Sequence, residues 1–160
     1  MLLRSSGGSC VPHGRGVLNF TMVQRVGDET RTSEVAYSQI CSILIESFGS
    51  FGLRAHVGAV DGSICNGDWN VCIDGLKVAG VAQRRRAISV GTVILTHAAV
   101  LLRPPSSIYP AIQLLFDDLY RPEKVLAAAH YSAGGGKTPR APAVSEFAAI
   151  LETVLEAAPG

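Results

Sequence analysis

Asn70-Val71-Cys72-Ile73-Asp74-Gly75-Leu76-Lys77-Val78-Ala79-Gly80-Val81-Ala82-Gln83 is the most informative stretch of this 160-residue chain. It consists of two short apolar runs joined by Asp74-Gly75. Asp-Gly between apolar runs favours a tight hairpin, because a type I′ turn needs positive φ at both central residues. The stretch therefore predicts two antiparallel strands, and the second strand is apolar enough to be buried.

Lys77 stands at the start of the second strand, next to that apolar run. A lysine rarely buries its ammonium group without a partner. One interpretation is an edge-strand lysine whose ammonium reaches water and guards the edge of the sheet. The other is a lysine held for an anionic or carboxyl-bearing ligand. Gly75 and Gly80 favour the second interpretation, since glycine in a strand often marks the close approach of a ligand or another backbone.

The segments on either side of the hairpin alternate between strand and helix patterns. Strands are predicted at 17–24, 53–57, 88–96 and 98–102, and helices at 122–130, at 143–157, from Thr32 or Ser33, and from Ser106 or Ser107. Core-facing stripes at helical spacing are predicted for Ala36, Ile40, Ile43, Leu44 and Phe48, and for Ile108, Ile112, Leu115 and Leu119. This order predicts an α+β (mixed α/β) fold, with helices packed on a mainly antiparallel sheet.

Length and composition limit the possibilities further. A chain of 160 residues with 48% apolar and 17% charged residues predicts one globular domain. We expect a main part at 1–130, a linker at 131–142, and a final helix at 143–160 packed on the same domain. The net charge of +1 argues against nucleic-acid binding. No apolar run reaches membrane length and no signal segment is evident, so a cytoplasmic protein without membrane association is expected.

Metal and disulfide sites are not expected, because the four cysteines show no Cys-x-x-Cys spacing and a disulfide framework is unusual at this size. The glycine-rich run at 133–138 is not a phosphate-binding loop, since Tyr131 occupies a position where that motif needs glycine.

Two other segments carry positive charge. The segment 4–16 is a loop of small residues, in which Arg4, His13 and Arg15 could bind a phosphate, although a flexible tail is an equal alternative. The run 84–86, three arginines, is either a solvated turn or a positive patch for an acidic partner or phosphate.

Two stretches together resemble the lipoate–protein ligase family, within the biotin/lipoate ligase and lipoyl/octanoyl transferase superfamily. The segment 4–20, RSSGGSCVPHGRGVLNF, resembles the family signature of arginine, three glycines, Ala-Val, Gly and Leu-Asn. The segment 64–84, ICNGDWNVCIDGLKVAGVAQR, is similar to the family block Phe-Cys-Asp-Gly, Asn, Gly-Arg-Lys-Ile-Gly-Thr-Ala-Gln. The resemblance covers about residues 4–102. It implies a fold like that of biotin ligases and class II synthetase cores.

The resemblance also implies an activity. The enzyme would activate lipoate or octanoate as an acyl-adenylate with ATP and Mg, or take it from a carrier, and pass it to a lysine of a lipoyl carrier domain. Such domains belong to 2-oxoacid dehydrogenases or to the glycine cleavage protein, and an acyl-carrier protein is a further expected partner. By position, Lys77 matches the lysine that contacts the acyl carboxyl and the nucleotide phosphate, where a cation polarises the reacting carbonyl.

Further site residues follow from the same matches. Cys65 matches a cysteine common in the family and is a candidate thiolate nucleophile, with a small buried hydrophobe as the alternative. The predicted nucleotide- and acyl-binding residues are Arg4, Gly7, Gly8, Ser9, Cys10, Val11, Pro12, His13, Asn19, Asp68, Asn70, Gly75 and Gly80.

The chain departs from the family at Ser5 and Ser9, which replace a basic residue and the third glycine. Family members also carry several strands before the arginine, whereas Met1 stands three residues before Arg4. A non-catalytic truncated member or binding subunit of the same family is therefore the second hypothesis.

Overall fold

The computed structural model describes residues 10–26, 33–119, 125–131 and 141–158, and the fold consists of one antiparallel sheet with helices on it. The elements in chain order are β1 (Val17–Val26), α1 (Ser33–Gly49), β2 (Ala55–Val57), β3 (Val71–Ile73), β4 (Leu76–Ala87), β5 (Thr92–Leu101), α2 (Ile108–Leu119) and α3 (Val144–Ala157). A 3₁₀ turn at Ala127–Ala129 precedes α3. The strand order is β1-β5-β4-β3-β2, and every pairing is antiparallel. The predicted α+β fold is confirmed.

The hairpin of β3 and β4 is the one that the sequence predicts. Asp74 and Gly75 have φ values of 51° and 74°, so both central residues adopt the positive φ of a type I′ turn. Glycine tolerates this conformation at no steric cost, and aspartate is among the few other residues that enter it readily.

The second hairpin, β4 with β5, differs from the prediction. The three arginines at 84–86 are not a turn, because they continue β4 and pair with β5 as far as Ala87 opposite Thr92. The turn comes later, where the Ile88 N–H donates to the Gly91 carbonyl at 3.0 Å and Gly91 has a φ of 90°. The predicted strand start at Ile88 is therefore wrong, since the chain reverses before Thr92.

The main core lies between one face of the sheet and helices α1 and α3. Leu18, Phe20 and Met22 of β1 alternate with exposed residues and pack against this core, as predicted. Phe48 of α1 meets Phe147 of α3 with ring centroids 4.5 Å apart. The stripe of α1 is confirmed by its buried members Ala36, Ile40, Leu44 and Phe48.

A second, smaller apolar cluster forms around α2. Tyr109, Ile112 and Phe116 of α2 pack with Ile64 and Val125. The predicted stripe of α2 is right at Ile112 and wrong at Leu115, which is 39% exposed. The buried stripe is displaced because the aromatic rings at 109 and 116 fill the space beside Ile64, and both stripes satisfy helical spacing. Leu119 lies outside the residues whose side chains are described.

The C-terminal third agrees with the prediction in part. The final helix α3 is confirmed, but the described part of the predicted helix at 122–130 forms only a 3₁₀ turn. The residues 121–124 and most of the predicted linker, 132–140, lie outside the described residues. Among the helices that the structure describes, none is long and apolar enough to span a membrane.

Candidate functional site

A β-bulge directs Lys77 into the molecule. Cys72 of β3 faces Lys77 of β4. The preceding β3 residue, Val71, pairs with Ala79 and not with Val78, so β4 contains one additional residue between the two pairs. In a regular strand, residues three positions apart point to opposite faces, and an inserted residue reverses this relation. Lys77 thus shares a side of the sheet with the glycine three positions later.

The ammonium group of Lys77 is enclosed and well bonded. The residue is 3% exposed, and its Nζ donates to the backbone carbonyls of Ile64 and Cys65, the latter at 3.0 Å. Burial lowers the pKa of Lys77 to about 8, while the nearby Cys65 and Cys72 thiols oppose this by raising it. An ammonium group has three N–H bonds. Two of them are used by the loop, which leaves one N–H bond for a bound group.

Gly80 leaves the space that the lysine occupies. A Cβ at this position would lie 3.2 Å from both Cε and Nζ of Lys77, and 3.8 Å from the Asn70 side-chain oxygen. These distances are tighter than ordinary van der Waals contact for the lysine atoms. The glycine that the sequence marks as a point of close approach therefore approaches Lys77 itself.

His130 holds the same loop from the other side. The Ile64 N–H donates to Nε2 of His130 at 3.0 Å, so this nitrogen carries no proton. Nδ1 lies 3.0 Å from the Leu126 carbonyl and must therefore be the protonated nitrogen. Burial lowers the pKa of His130 to about 4, which keeps the ring neutral. The peptide of Ile64 is thus fixed at its N–H by His130, while its carbonyl accepts from Lys77.

The loop that follows is shaped by its own side chains. Cys65 has a φ of 53°, which is unusual for a residue other than glycine. The side-chain oxygen of Asn66 accepts from the Val60 N–H at 2.8 Å and from the Asn70 amide at 3.4 Å. The Asn66 amide in turn donates to Asp61 at 3.2 Å. This network maintains a strained residue beside Lys77, and strained residues cluster at functional sites.

These features surround a cavity of about 490 Å³. It lies between the 64–70 loop, the segment before β1, and the central strands. The predicted site residues that line it are Cys10, Val11, Pro12, His13, Asn19, Cys65, Asp68, Asn70, Lys77 and Gly80. Gly75 lies at the tip of the hairpin and is not part of the lining. Arg4, Gly7, Gly8 and Ser9 lie outside the described residues.

Sequence reasoning missed several residues of this cavity. The ring of Tyr37 from α1 stacks on Trp69, with centroids 5.2 Å apart and planes inclined by 11°. Thr21 and His97, which pair across β1 and β5, also line the cavity. Thr21 could have been found from the sequence, because it alternates with the core-facing residues of β1 and lies on the same face as Asn19. No local pattern could reveal His130, because it contacts a residue 66 positions away.

A magnesium and nucleotide site would need carboxylate oxygens beside the bound phosphates. Asp68 is the one carboxylate among the described lining residues. No group of three potential metal-ligating residues occurs in the described part of the chain. Magnesium usually binds one or two carboxylates together with phosphate oxygens. The described side chains therefore do not assemble a magnesium site by themselves, although Lys77 could meet a phosphate.

Comparison with known proteins identifies the family to which this chain belongs. The family model described as "Lipoyl protein ligase A/B catalytic domain" matches residues 1–117. The chain therefore belongs to the lipoyl protein ligase A/B catalytic domain family.

The chain is similar to several bacterial transferases. An octanoyl-GcvH:protein N-octanoyltransferase of Kyrpidia tusciae is 43% identical over 81 residues, which is 51% of this chain and 28% of the relative. One of the same name from Geobacillus kaustophilus is 33% identical over 53% of this chain and 30% of the relative. A lipoyl-GcvH:protein N-lipoyltransferase of Listeria monocytogenes is 30% identical over 59% of this chain and 34% of the relative. The matched part of the chain thus spans about a third of the length of these relatives.

Two solved structures show the same fold. Lipoate-protein ligase A bound with ATP superposes with a TM-score of 0.70, covering 96% of this chain and 56% of that one at 19% identity. The T. acidophilum protein Ta0514 with bound lipoic acid gives a TM-score of 0.69 over the same shares at 21% identity. These likenesses concern the fold, and they confirm the fold that the sequence resemblance implied.

Proposed function

We propose that this domain transfers an octanoyl or lipoyl group between lysines of lipoyl carrier proteins, with a GcvH-type protein as the donor, by way of a thioester on Cys65. One observation carries the proposal: the buried Lys77 ammonium is bonded to the loop that presents Cys65 inside the cavity. The names of the bacterial relatives support the substrate class, since they describe octanoyl and lipoyl transfer from GcvH.

In the first step, the sulfur of Cys65 forms a bond to the acyl carbonyl carbon of the donor. The bond from that carbon to the donor nitrogen or sulfur breaks, and the departing group takes the proton that Cys65 gives up. Negative charge develops on the carbonyl oxygen in between. The remaining N–H of Lys77 can stabilise this charge, in a site where water is largely excluded.

In the second step, the ε-amine of the acceptor lysine attacks the thioester carbon. The new amide bond forms, the carbon–sulfur bond breaks, and the amine proton returns to the Cys65 sulfur. Atoms and protons therefore balance over the cycle, and the enzyme ends as it began. The same Lys77 N–H would stabilise the oxyanion of both steps, because both develop charge on the same oxygen.

Cys65 is a better candidate than the buried thiols. Burial raises the pKa of Cys41 to about 11 and also raises the pKa of Cys72, so both remain protonated at neutral pH. Cys72 lies within the sheet with its Sγ 3.3 Å from the Gly58 carbonyl. Cys65 lines the cavity beside Lys77, and Cys10 lines the same cavity, which makes Cys10 the natural control.

An acyl-adenylate route is the second candidate. It is favoured by the likeness to a ligase structure bound with ATP and by the cation at Lys77. The carrier lysine would then attack an adenylate, and Cys65 would not be needed. We also expect lipoyl domains of 2-oxoacid dehydrogenases as further acceptors, an acyl-carrier protein as a further donor, and a cytoplasmic location.

The two routes are separated by mass spectrometry of the reacting proteins. Octanoyl-GcvH is mixed with the chain and with isotope-labelled, acyl-free GcvH in the absence of ATP, and a parallel reaction contains octanoate, ATP and magnesium. We expect an octanoyl adduct on Cys65 and transfer to labelled GcvH without ATP. Cys65→Ser abolishes both, Cys10→Ser abolishes neither, and Lys77→Ala slows transfer by about 10²- to 10³-fold. Transfer only in the ATP reaction, or undiminished transfer by Cys65→Ser, would contradict the thioester route.

A further inference from the structure

Three neighbouring strands of the sheet, from the β1 edge inward, carry positive charge and no acidic residue. β1, β4 and β5 contain Arg25, Lys77 and the three arginines at 84–86, and neither Asp nor Glu occurs in them. The chain as a whole has 13 acidic residues and a net charge of only +1. The net charge is therefore close to zero although the charges are separated: these strands carry only basic residues, and the acidic residues lie elsewhere in the chain.

Strand pairing places most of this charge on the face that holds the cavity. Thr21, His97 and Ala82 pair across the three strands and line the cavity. Two residues further along each strand, on the same face, Val23 and Arg84 flank Leu95. The next row on this face contains Arg25, Val93 and Arg86. We call these two rows, with Val23, Leu95, Val93, Arg25, Arg84 and Arg86, the basic platform.

The basic platform is open to solvent. Val23 is 65% exposed, and Val90 in the adjoining turn is 64% exposed. Arg25, Arg84 and Arg86 are exposed, and none forms an ion pair within the described residues. Arg85 points to the opposite face, where its Nη1 donates to the Ser33 hydroxyl at 3.3 Å. The platform thus combines three solvated guanidinium groups with an apolar centre, the pattern of a polar rim around an apolar contact.

We propose that the basic platform docks an acidic protein domain, the carrier whose lysine enters the adjacent cavity. This inference rests on the proposed function, since it assigns a surface to the macromolecular substrate of that reaction. Rows of residues two apart along a strand are about 7 Å from one another, so a domain on the platform stands directly at the cavity mouth. Charge complementarity would orient the carrier before its lysine enters.

The composition of the platform favours a protein over nucleic acid. Bases stack on aromatic side chains in single-strand binding sites, and the platform rows contain no aromatic residue. Its centre is formed by valine and leucine, which suit an apolar contact on a folded domain. Binding of a nucleic acid or of an anionic membrane in place of the carrier would overturn the proposal.

Charge reversal tests the platform by binding alone, without any acyl transfer. The probe is acyl-free GcvH, and its affinity for the chain is measured by calorimetry over a range of salt concentrations. We expect Arg84→Glu and Arg86→Glu each to weaken binding by at least about tenfold at low salt and to flatten its salt dependence. The matched control is Arg54→Glu, which reverses an exposed charge just before β2 at the far edge of the sheet.

A photocrosslink locates the contact independently. A benzoylphenylalanine replaces Val23 on the platform, or Val35, which is exposed on α1. We expect GcvH to crosslink from position 23 and not from position 35. Equal effects of Arg84→Glu and Arg54→Glu, a crosslink from position 35 only, or tight binding of duplex DNA or phosphatidylserine vesicles with none of GcvH would overturn the proposal. Failure of the acyl-transfer reaction with GcvH still binding the platform would instead reject the proposed chemistry.

Discussion

Lys77 and His130 hold the loop at Ile64 from two sides. Each binds one side of the Ile64 peptide, the lysine at its carbonyl and the histidine at its N–H. Burial acts on both, because it favours the uncharged form of a base. The lysine keeps its proton at neutral pH with a pKa of about 8, whereas the histidine, with a pKa of about 4, stays neutral and can accept.

Replacing His130 should change how stability depends on pH. The ordinary pKa of histidine is about 6.5, and the fold lowers it to about 4. Between these values the unfolded chain binds a proton that the folded chain does not, so stability falls as the pH is lowered from about 6.5 to about 4. We expect His130→Gln to flatten this part of the curve in thermal unfolding experiments.

The control for this prediction is His56→Gln, an exposed ring in β2. It should leave the shape of the curve unchanged. A curve for His130→Gln parallel to that of the unsubstituted chain across the whole window would show that the ring is not held neutral by the fold.

At the scale of elements, the hairpin of β3 and β4 carries two separate tasks. Its turn is determined by Asp74 and Gly75, and its bulge turns Lys77 toward the cavity. Only the second task requires the glycine at position 80, because that position must leave room for the lysine. The sequence of β4 has the regular pattern of a strand, but the strand itself has a bulge next to Lys77.

Gly80→Ala should impair transfer more than it impairs folding. The added Cβ would lie 3.2 Å from Nζ of Lys77, so the ammonium must shift away from the Ile64 and Cys65 carbonyls. We expect acyl transfer to fall at least about tenfold, since small misplacements of catalytic groups are costly.

Gly67→Ala provides the matched control, because Gly67 also lines the cavity but nothing lies within 4 Å of its added Cβ. Rates are compared at equal concentrations of folded protein, measured by circular dichroism. Equal transfer by the two variants would show that Gly80 does not position Lys77.

At the scale of the whole molecule, the main core includes helix α3, which lies beyond the residues that the family model matches. The family model ends at residue 117, yet Phe147 of α3 is fully buried against Phe48 and lies 6.1 Å from the Phe51 ring. The sheet is therefore covered on one face by α1 and α3, and the opposite face is left for the cavity and the platform.

Phe147→Ala should cost about 3–5 kcal/mol of unfolding free energy, because it removes a buried ring and leaves a cavity between α1 and α3. The measurement is urea denaturation followed by fluorescence. Leu114→Ala, at a position 71% exposed in α2, should cost far less. A loss for Phe147→Ala no greater than that for Leu114→Ala would show that α3 is not part of the cooperative unit.

The amino-acid sequence by itself determined the local features of this protein. The alternation of Leu18, Phe20 and Met22 identified β1, and Asp74-Gly75 identified the hairpin, because these patterns depend on residues only one to four positions apart. The two motifs around the glycines and Lys77 also pointed to the family. For 84–86 the sequence leaves a solvated turn and a positive patch as alternatives, because exposed arginines look alike in a turn and at the solvated end of a strand. The turn is wrong, since these residues continue β4.

Only the tertiary structure decided how the site is assembled. The bulge that redirects Lys77 arises from the register between two strands, which no sequence period encodes. The contact between Ile64 and His130 joins residues 66 positions apart, and the stack of Tyr37 on Trp69 joins a helix to a loop. Such contacts are set by how whole elements pack around a shared core, and packing depends on the entire chain at once.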